Sequence, residues 1–132
     1  MFPKQIMTEV KWGFSGGRYE SRKVFIKEVT KYNKGLSTHW RPKETVLESP
    51  KVSIQYSYWN NDRNNVEEEE FNLIADNASG FTAGELLYKI HNQVVDTLEE
   101  EQFRFFEGLT LWKNKKSIRS TTPLYFINQI SL

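Results

Sequence analysis

The sequence predicts an α+β fold, an antiparallel sheet of about six strands with one long helix, about residues 82–100, packed on one face. Three observations carry that reading. Leu86, Leu87, Ile90, Val94 and Leu98 recur at the three- and four-residue spacing of an amphipathic helix. Residues 51–59 alternate apolar and polar side chains with the period of two that belongs to a half-buried strand. Nine Phe, six Tyr and four Trp favour sheet over an all-helical bundle. At 132 residues the chain fits a single domain, 1–132, and its 38% hydrophobic content is enough to build one core.

From the N-terminus, Ile6, Thr8, Val10, Trp12 and Phe14 alternate with Met7, Glu9 and Lys11, which predicts a strand over 6–14. Ser15-Gly16-Gly17 reads as a turn, and 20–29, centred on Val24, Phe25 and Ile26, as a second strand of a hairpin. Residues 30–50 hold Gly35, Pro42 and Pro50 among few aliphatics and read as irregular, with an extended piece near 44–48. In the strand over 51–59, Val52, Ile54, Tyr56 and Tyr58 share the apolar face. Asn60 to Asn65 supply side chains that bond their own backbone and tolerate positive φ, hence a turn, and 70–75 reads as the partner strand, with Glu67–Glu70 at its start.

Asp76 to Gly80 break that strand. Thr82 and Glu85 form a capping box, each side chain placed to satisfy a free backbone N–H near the other, with Phe81 and Leu86 as a hydrophobic staple. Glu99, Glu100 and Glu101 close the periodic segment, where acids oppose the helix dipole. Residues 109–113 and 124–130 read as two further strands joined through Asn114-Lys115-Lys116-Ser117.

With no cysteine there is neither a disulfide framework nor a thiolate site. Nothing approaches the roughly 20 apolar residues that span a bilayer, and Met1 to Ile6 lack the apolar stretch of a signal peptide, so a cytoplasmic, membrane-free protein is expected. A net charge of +1 argues against a dedicated nucleic-acid binder, but the distribution is uneven. Residues 1–66 carry 12 Lys and Arg against 6 Asp and Glu, residues 67–102 carry 1 against 10, and residues 103–132 carry 5 against 1. A nearly neutral total hides a strongly acidic middle.

Few residues suggest chemistry. His91, next to Ile90 on the helix, reads as a structural histidine. His39, in the irregular stretch beside Trp40 and Arg41, is the candidate acid/base if a carboxylate or lysine lies near it. No metal site is expected: Asn60 to Asn65 hold one acid and an arginine among their oxygen donors, and consecutive glutamates on a strand point to alternate faces. Gly13 to Arg18 runs into a predicted strand, not a helix N-terminus, so a turn explains it better than a phosphate loop. Tyr58 and Trp59, leading into an Asn-rich turn with Asp62, are of the types that anchor protein interfaces. Phe103, Arg104, Phe105, Trp112, Lys113, Lys115, Lys116 and Arg119 interleave aromatic and basic side chains as a nucleic-acid-binding module does.

Phe81-Thr82-Ala83-Gly84-Glu85-Leu86-Leu87-Tyr88-Lys89-Ile90-His91-Asn92, followed by Phe105-Phe106-Glu107-Gly108-Leu109, resembles a pattern in small bacterial immunity proteins encoded beside polymorphic or contact-dependent growth inhibition toxins. The resemblance spans residues 81–109 and implies a small cytoplasmic domain, not an enzyme and without a cofactor, that binds and neutralises a cognate toxin by masking its active site. Many such toxins are nucleases with basic active sites, for which an acidic patch offers steering and occlusion. Glu67, Glu68, Glu69, Glu70, Glu99, Glu100 and Glu101, with Tyr58, Trp59 and Asp62, are the partner-binding residues this reading selects, with no direct nucleic-acid contact expected. A small enzyme built on His39 and a nucleic-acid- or ligand-binding module are the alternatives.

Overall fold

Helix formation in this chain starts from side chains that satisfy free backbone donors. Thr82 accepts from the Glu85 N–H at 3.2 Å and opens a helix over Ala83–Leu98, while Ser21 does the same for the Val24 N–H, also at 3.2 Å, and opens another over Arg22–Asn33. The computed structural model describes residues 2–112 and 122–131. In chain order these form β1 (Gln5–Ile6), β2 (Trp12–Gly13), α1 (Arg22–Asn33), β3 (Thr45–Leu47), β4 (Lys51–Asn60), β5 (Asn65–Ile74), β6 (Phe81–Thr82), α2 (Ala83–Leu98), β7 (Phe105–Leu111) and β8 (Leu124–Ile130).

The class is α+β, with a mostly antiparallel sheet of six strands and two helices. The sheet runs β1-β7-β8-β4-β5, with β2 also on β7, and β3 and β6 make a small separate pair. Every neighbouring pair in the main sheet is antiparallel except β4 and β8, which run parallel over Ser53–Gln55 and Leu124–Phe126. The apolar stripe predicted for α2, Leu86, Leu87, Ile90, Val94 and Leu98, is fully buried, at about 1.5–3 kcal/mol for each such side chain taken from water.

Five expectations need correcting. Residues 20–29 are not a strand: Phe25, Val29 and Asn33, at helical spacing, form the buried side of α1. Phe25 meets the rings of Trp12, Tyr19, Tyr88 and His91 at 5.2–5.6 Å, and the buried Asn33 side chain bonds the Lys11 N–H and C=O. These distant partners override the β-branched local preference, so there are two helices rather than one, and no hairpin with the N-terminal strand.

Residues 6–14 are not one strand either. Ile6, Val10, Trp12 and Phe14 are all buried, as the alternation requires, but Met7 takes φ 54° and splits the segment into β1 and β2. The two pieces pair with β7 on either side of an irregularity between Phe106 and Leu109. There Gly108 has φ +96°, and a Cβ on it would lie 2.7 Å from Thr8 Cα, so the crossing needs glycine.

β5 begins at Asn65 rather than 70, which puts all four glutamates inside the strand. Cross-strand donors make that tolerable: Tyr56 donates to Glu69 at 2.8 Å, Tyr58 reaches Glu67 and Glu69, and Gln55 donates to Glu68. The capping box is also only half made. Glu85 does not return to Thr82; its buried carboxylate accepts from the Asp76 N–H at 2.7 Å and from Lys89 at 2.8 Å. β7 starts at Phe105, earlier than predicted, and the Asn114–Ser117 turn lies outside the described residues.

Candidate functional site

The two acidic runs are about 30 residues apart in sequence, and the fold brings them to one end of the sheet. β4 and β5 form a hairpin whose register sets Tyr56 opposite Glu69 and Tyr58 opposite Glu67. The period of two then puts Tyr56, Tyr58, Glu67 and Glu69 on one face and Gln55, Ser57, Glu68 and Glu70 on the other. Thr97, in the last turn of α2, lies near enough to the Tyr56 hydroxyl to bear on its titration, so the C-terminal end of the helix sits over this hairpin. Burial, opposed by Thr97 and reinforced by the Glu69 carboxylate, pushes the Tyr56 hydroxyl up to about 12. Tyr58 is raised in the same direction, by burial and then by Glu69 and Glu67.

Just beyond α2 the chain turns toward β7. Glu101 accepts the Trp59 backbone N–H at 2.7 Å, and Arg104 donates to the Glu101 carbonyl at 2.9 Å, a cation at the helix end where the dipole favours one. Between this turn and the hairpin lies a groove of about 590 Å³. Trp59, Val66, Phe103 and Ile127 supply its apolar surface; Ser57, Tyr58, Gln102 and Gln129 supply polar groups; Glu100 and Glu101 supply charge. Among the described residues no lysine or arginine lines it, and the Glu100 carboxylate has no hydrogen-bond or ion-pair partner.

Of the residues selected from sequence, Tyr58, Trp59, Glu100 and Glu101 line the groove, and Glu67 and Glu69 adjoin it through the Tyr58 hydroxyl. Glu68 and Glu70 project from the opposite face of the hairpin. Asp62 is exposed at the hairpin tip, and Glu99 forms the C-cap of α2. Sequence reasoning missed Val66, Ile127 and Gln129, which are scattered residues on separate strands and carry no shared local signal, and it placed Phe103 only in the alternative nucleic-acid-binding set.

The other candidates lie elsewhere. His39 is half exposed, with Nε2 3.3 and 3.4 Å from the two carboxylate oxygens of Glu44, outside the groove. His91 is fully buried: Trp12 Nε1–H donates to Nδ1 at 3.0 Å, which leaves the proton on Nε2 to donate to the Gly17 carbonyl at 2.8 Å. Burial holds its pKa below the ordinary histidine value despite the Gly17 bond and the Glu99 charge, so it is a neutral structural group.

In the C-terminal segment Arg104 stacks over Phe105 at 4.7 Å and Trp112 meets Phe126 edge-on at 5.6 Å. Lys113, Lys115, Lys116 and Arg119 lie outside the described residues. Among the described residues no group of three or more His, Cys, Asp or Glu converges on a metal position, and no helix is long and apolar enough to cross a membrane.

In comparison with known proteins, the chain matches no family model, and no curated protein or solved structure shows significant similarity to it.

Proposed function

We propose that this domain is an immunity-type binding protein, not an enzyme: it neutralises a cognate protein toxin, a basic nuclease domain, by covering its active site with the acidic end of the sheet. One observation carries the reading. The Tyr58 hydroxyl joins Glu67 and Glu69 on β5, and the backbone N–H of the next residue, Trp59, joins Glu101 after α2, so the two acidic runs are tied to adjacent aromatic residues of β4 beside one groove. Tyr and Trp inside a charged surround are the residue types that dominate binding energy at protein interfaces. The surrounding carboxylates steer a basic partner and oppose an acidic one.

The test begins with the toxin gene expected immediately upstream and with co-purification of its product. Calorimetry on that complex then compares the wild-type domain with a Glu67→Lys, Glu69→Lys, Glu100→Lys, Glu101→Lys variant whose fold is checked by circular dichroism. Binding is expected to weaken by about a hundredfold or more, the scale of several close charge pairs lost at an interface. Unchanged affinity in the folded variant would remove the acidic surface from the interface.

A further inference from the structure

β4 is longer than the strand beside it needs. Its residues Ser53, Gln55, Ser57 and Trp59 direct their backbone groups toward β8, because alternate residues of a strand face the same edge. The Ser53 N–H is met by the Pro123 carbonyl, and the parallel register ends at Gln55 and Phe126. Past that point β4 and β8 diverge, since β8 continues along β7 as far as the Phe105–Ile130 pair.

The exposed part of the β4 edge is satisfied by side chains. The Gln129 amide accepts the Ser57 N–H at 2.7 Å and donates to the Ser57 carbonyl at 2.8 Å, two contacts that a neighbouring strand's backbone would make. Glu101 takes the Trp59 N–H. Backbone bonds made by flexible side chains leave an edge that another chain can claim by exchange, with no ladder to break. Beside this edge the groove exposes Trp59, Val66 and Phe103 at 44%, 62% and 55%, an unusual share for large apolar side chains set so close together.

We infer that the groove is a strand-docking site: an extended segment of a protein partner, carrying a lysine or arginine beside an aliphatic residue, continues the sheet along Ser57–Asn60. The inference rests on the reading of the domain as a binder of a basic protein and adds the mode of binding. The incoming backbone takes over the bonds of Gln129 and Glu101. Once displaced, Glu101 joins Glu100, which has no partner among the described residues, in pairing with the incoming cation, while the aliphatic side chain covers Trp59, Val66 and Phe103. Charge selects the occupant. A second copy of this groove would bring Glu100 and Glu101 against their own kind, and an acidic segment would meet the same repulsion.

The probes are four capped octapeptides: alternating Lys and Val, the same with Glu for Lys, and two Lys–Val peptides N-methylated at alternate residues, one in each of the two registers. Uniformly ¹⁵N-labelled full chain is titrated with each at low salt and followed by amide resonances. The Lys–Val peptide is expected to give saturable shifts at the Ser57 and Trp59 amides and the Gln129 side-chain amide, with neither the Glu–Val peptide nor the N-methylated one of the pairing register doing so. Gln129→Ala removes the competing amide, so it should tighten binding about two- to tenfold; a merely structural glutamine would give no gain.

No shift at Ser57 and Trp59, equal binding by both N-methylated peptides, weaker binding by Gln129→Ala, or a dimer held through this groove would each overturn the inference. Shifts confined to Glu67–Glu70 would overturn strand docking while leaving the acidic binding surface standing. Conversely, groove binding by the Lys–Val peptide together with a charge-reversed domain that still holds the cognate toxin would sink the proposed function and leave the docking site.

Discussion

Among single residues, His91 shows most directly how the interior constrains chemistry. Its ring lies among Trp12, Phe14, Tyr19 and Phe25 at 5.2–5.9 Å, and its two nitrogens are committed, one accepting from an indole N–H and the other donating to a carbonyl. Protonation would put a charge in that cage and turn the acceptor nitrogen into a second donor facing the Trp12 N–H. The folded-state pKa is depressed, so the unfolded chain binds a proton at this site more readily. The resulting stability is complete above the ordinary value near 6.5 and is lost as pH falls below it. The urea midpoint is expected to drop between pH 7.5 and 5.5, and His91→Gln should flatten that dependence at the cost of lower stability throughout. A Gln variant as pH-sensitive as the wild type would place the titrating group elsewhere. The structural role of His91 was legible from its neighbour Ile90 on a periodic helix. The Glu44 partner of His39 lies five residues along the chain, but the loop geometry that pairs them has no sequence signature.

For whole elements, legibility followed how local the determining contacts are. α2 and β4 declare themselves because each buries one continuous face, so cap, stripe and alternation all lie within the element. α1 is the counterexample. Its buried residues Phe25, Val29 and Asn33 are spaced for a helix, yet a run of Val24, Phe25 and Ile26 suits a strand equally well. Packing against Trp12, Tyr88 and His91 decides between them, and Val24 is left half exposed. β5 adds a different lesson. It is the edge strand of the sheet, ten residues long, and an open edge of that length invites pairing with other chains. Glu68 and Glu70, exposed and away from the Tyr58 face, guard that edge by charge. Replacing both with valine is expected to leave the monomer folded but to raise its self-association, seen as concentration-dependent growth in light scattering at neutral pH. A double variant that stays monomeric at high concentration would show that these two carboxylates are not what protects the edge.

At the scale of the molecule, a net charge of +1 conceals an acidic pole on the β5 glutamates and the end of α2, offset in part by Arg63, which pairs with Glu67 at 3.4 Å. If that pole receives a basic partner, the association rate should fall about tenfold or more between low and physiological ionic strength while the dissociation rate changes little, because long-range steering is screened and close contacts are not. Stopped-flow measurement on the isolated complex separates the two, and a salt-independent association rate would contradict the steering argument. The sequence by itself determined the α+β class, the extent and inner face of α2, the alternation of β4, and the existence of two acidic runs. These follow from local periodicity, capping and composition, which act within about a dozen residues. Only the tertiary structure decided that residues 22–33 are helical, that β8 runs parallel to β4, and that Val66, Phe103, Ile127 and Gln129 meet Trp59 and Glu101 in one groove. Each of those outcomes depends on contacts between residues tens of positions apart, where packing geometry outweighs the weak preferences that a single chain segment can express.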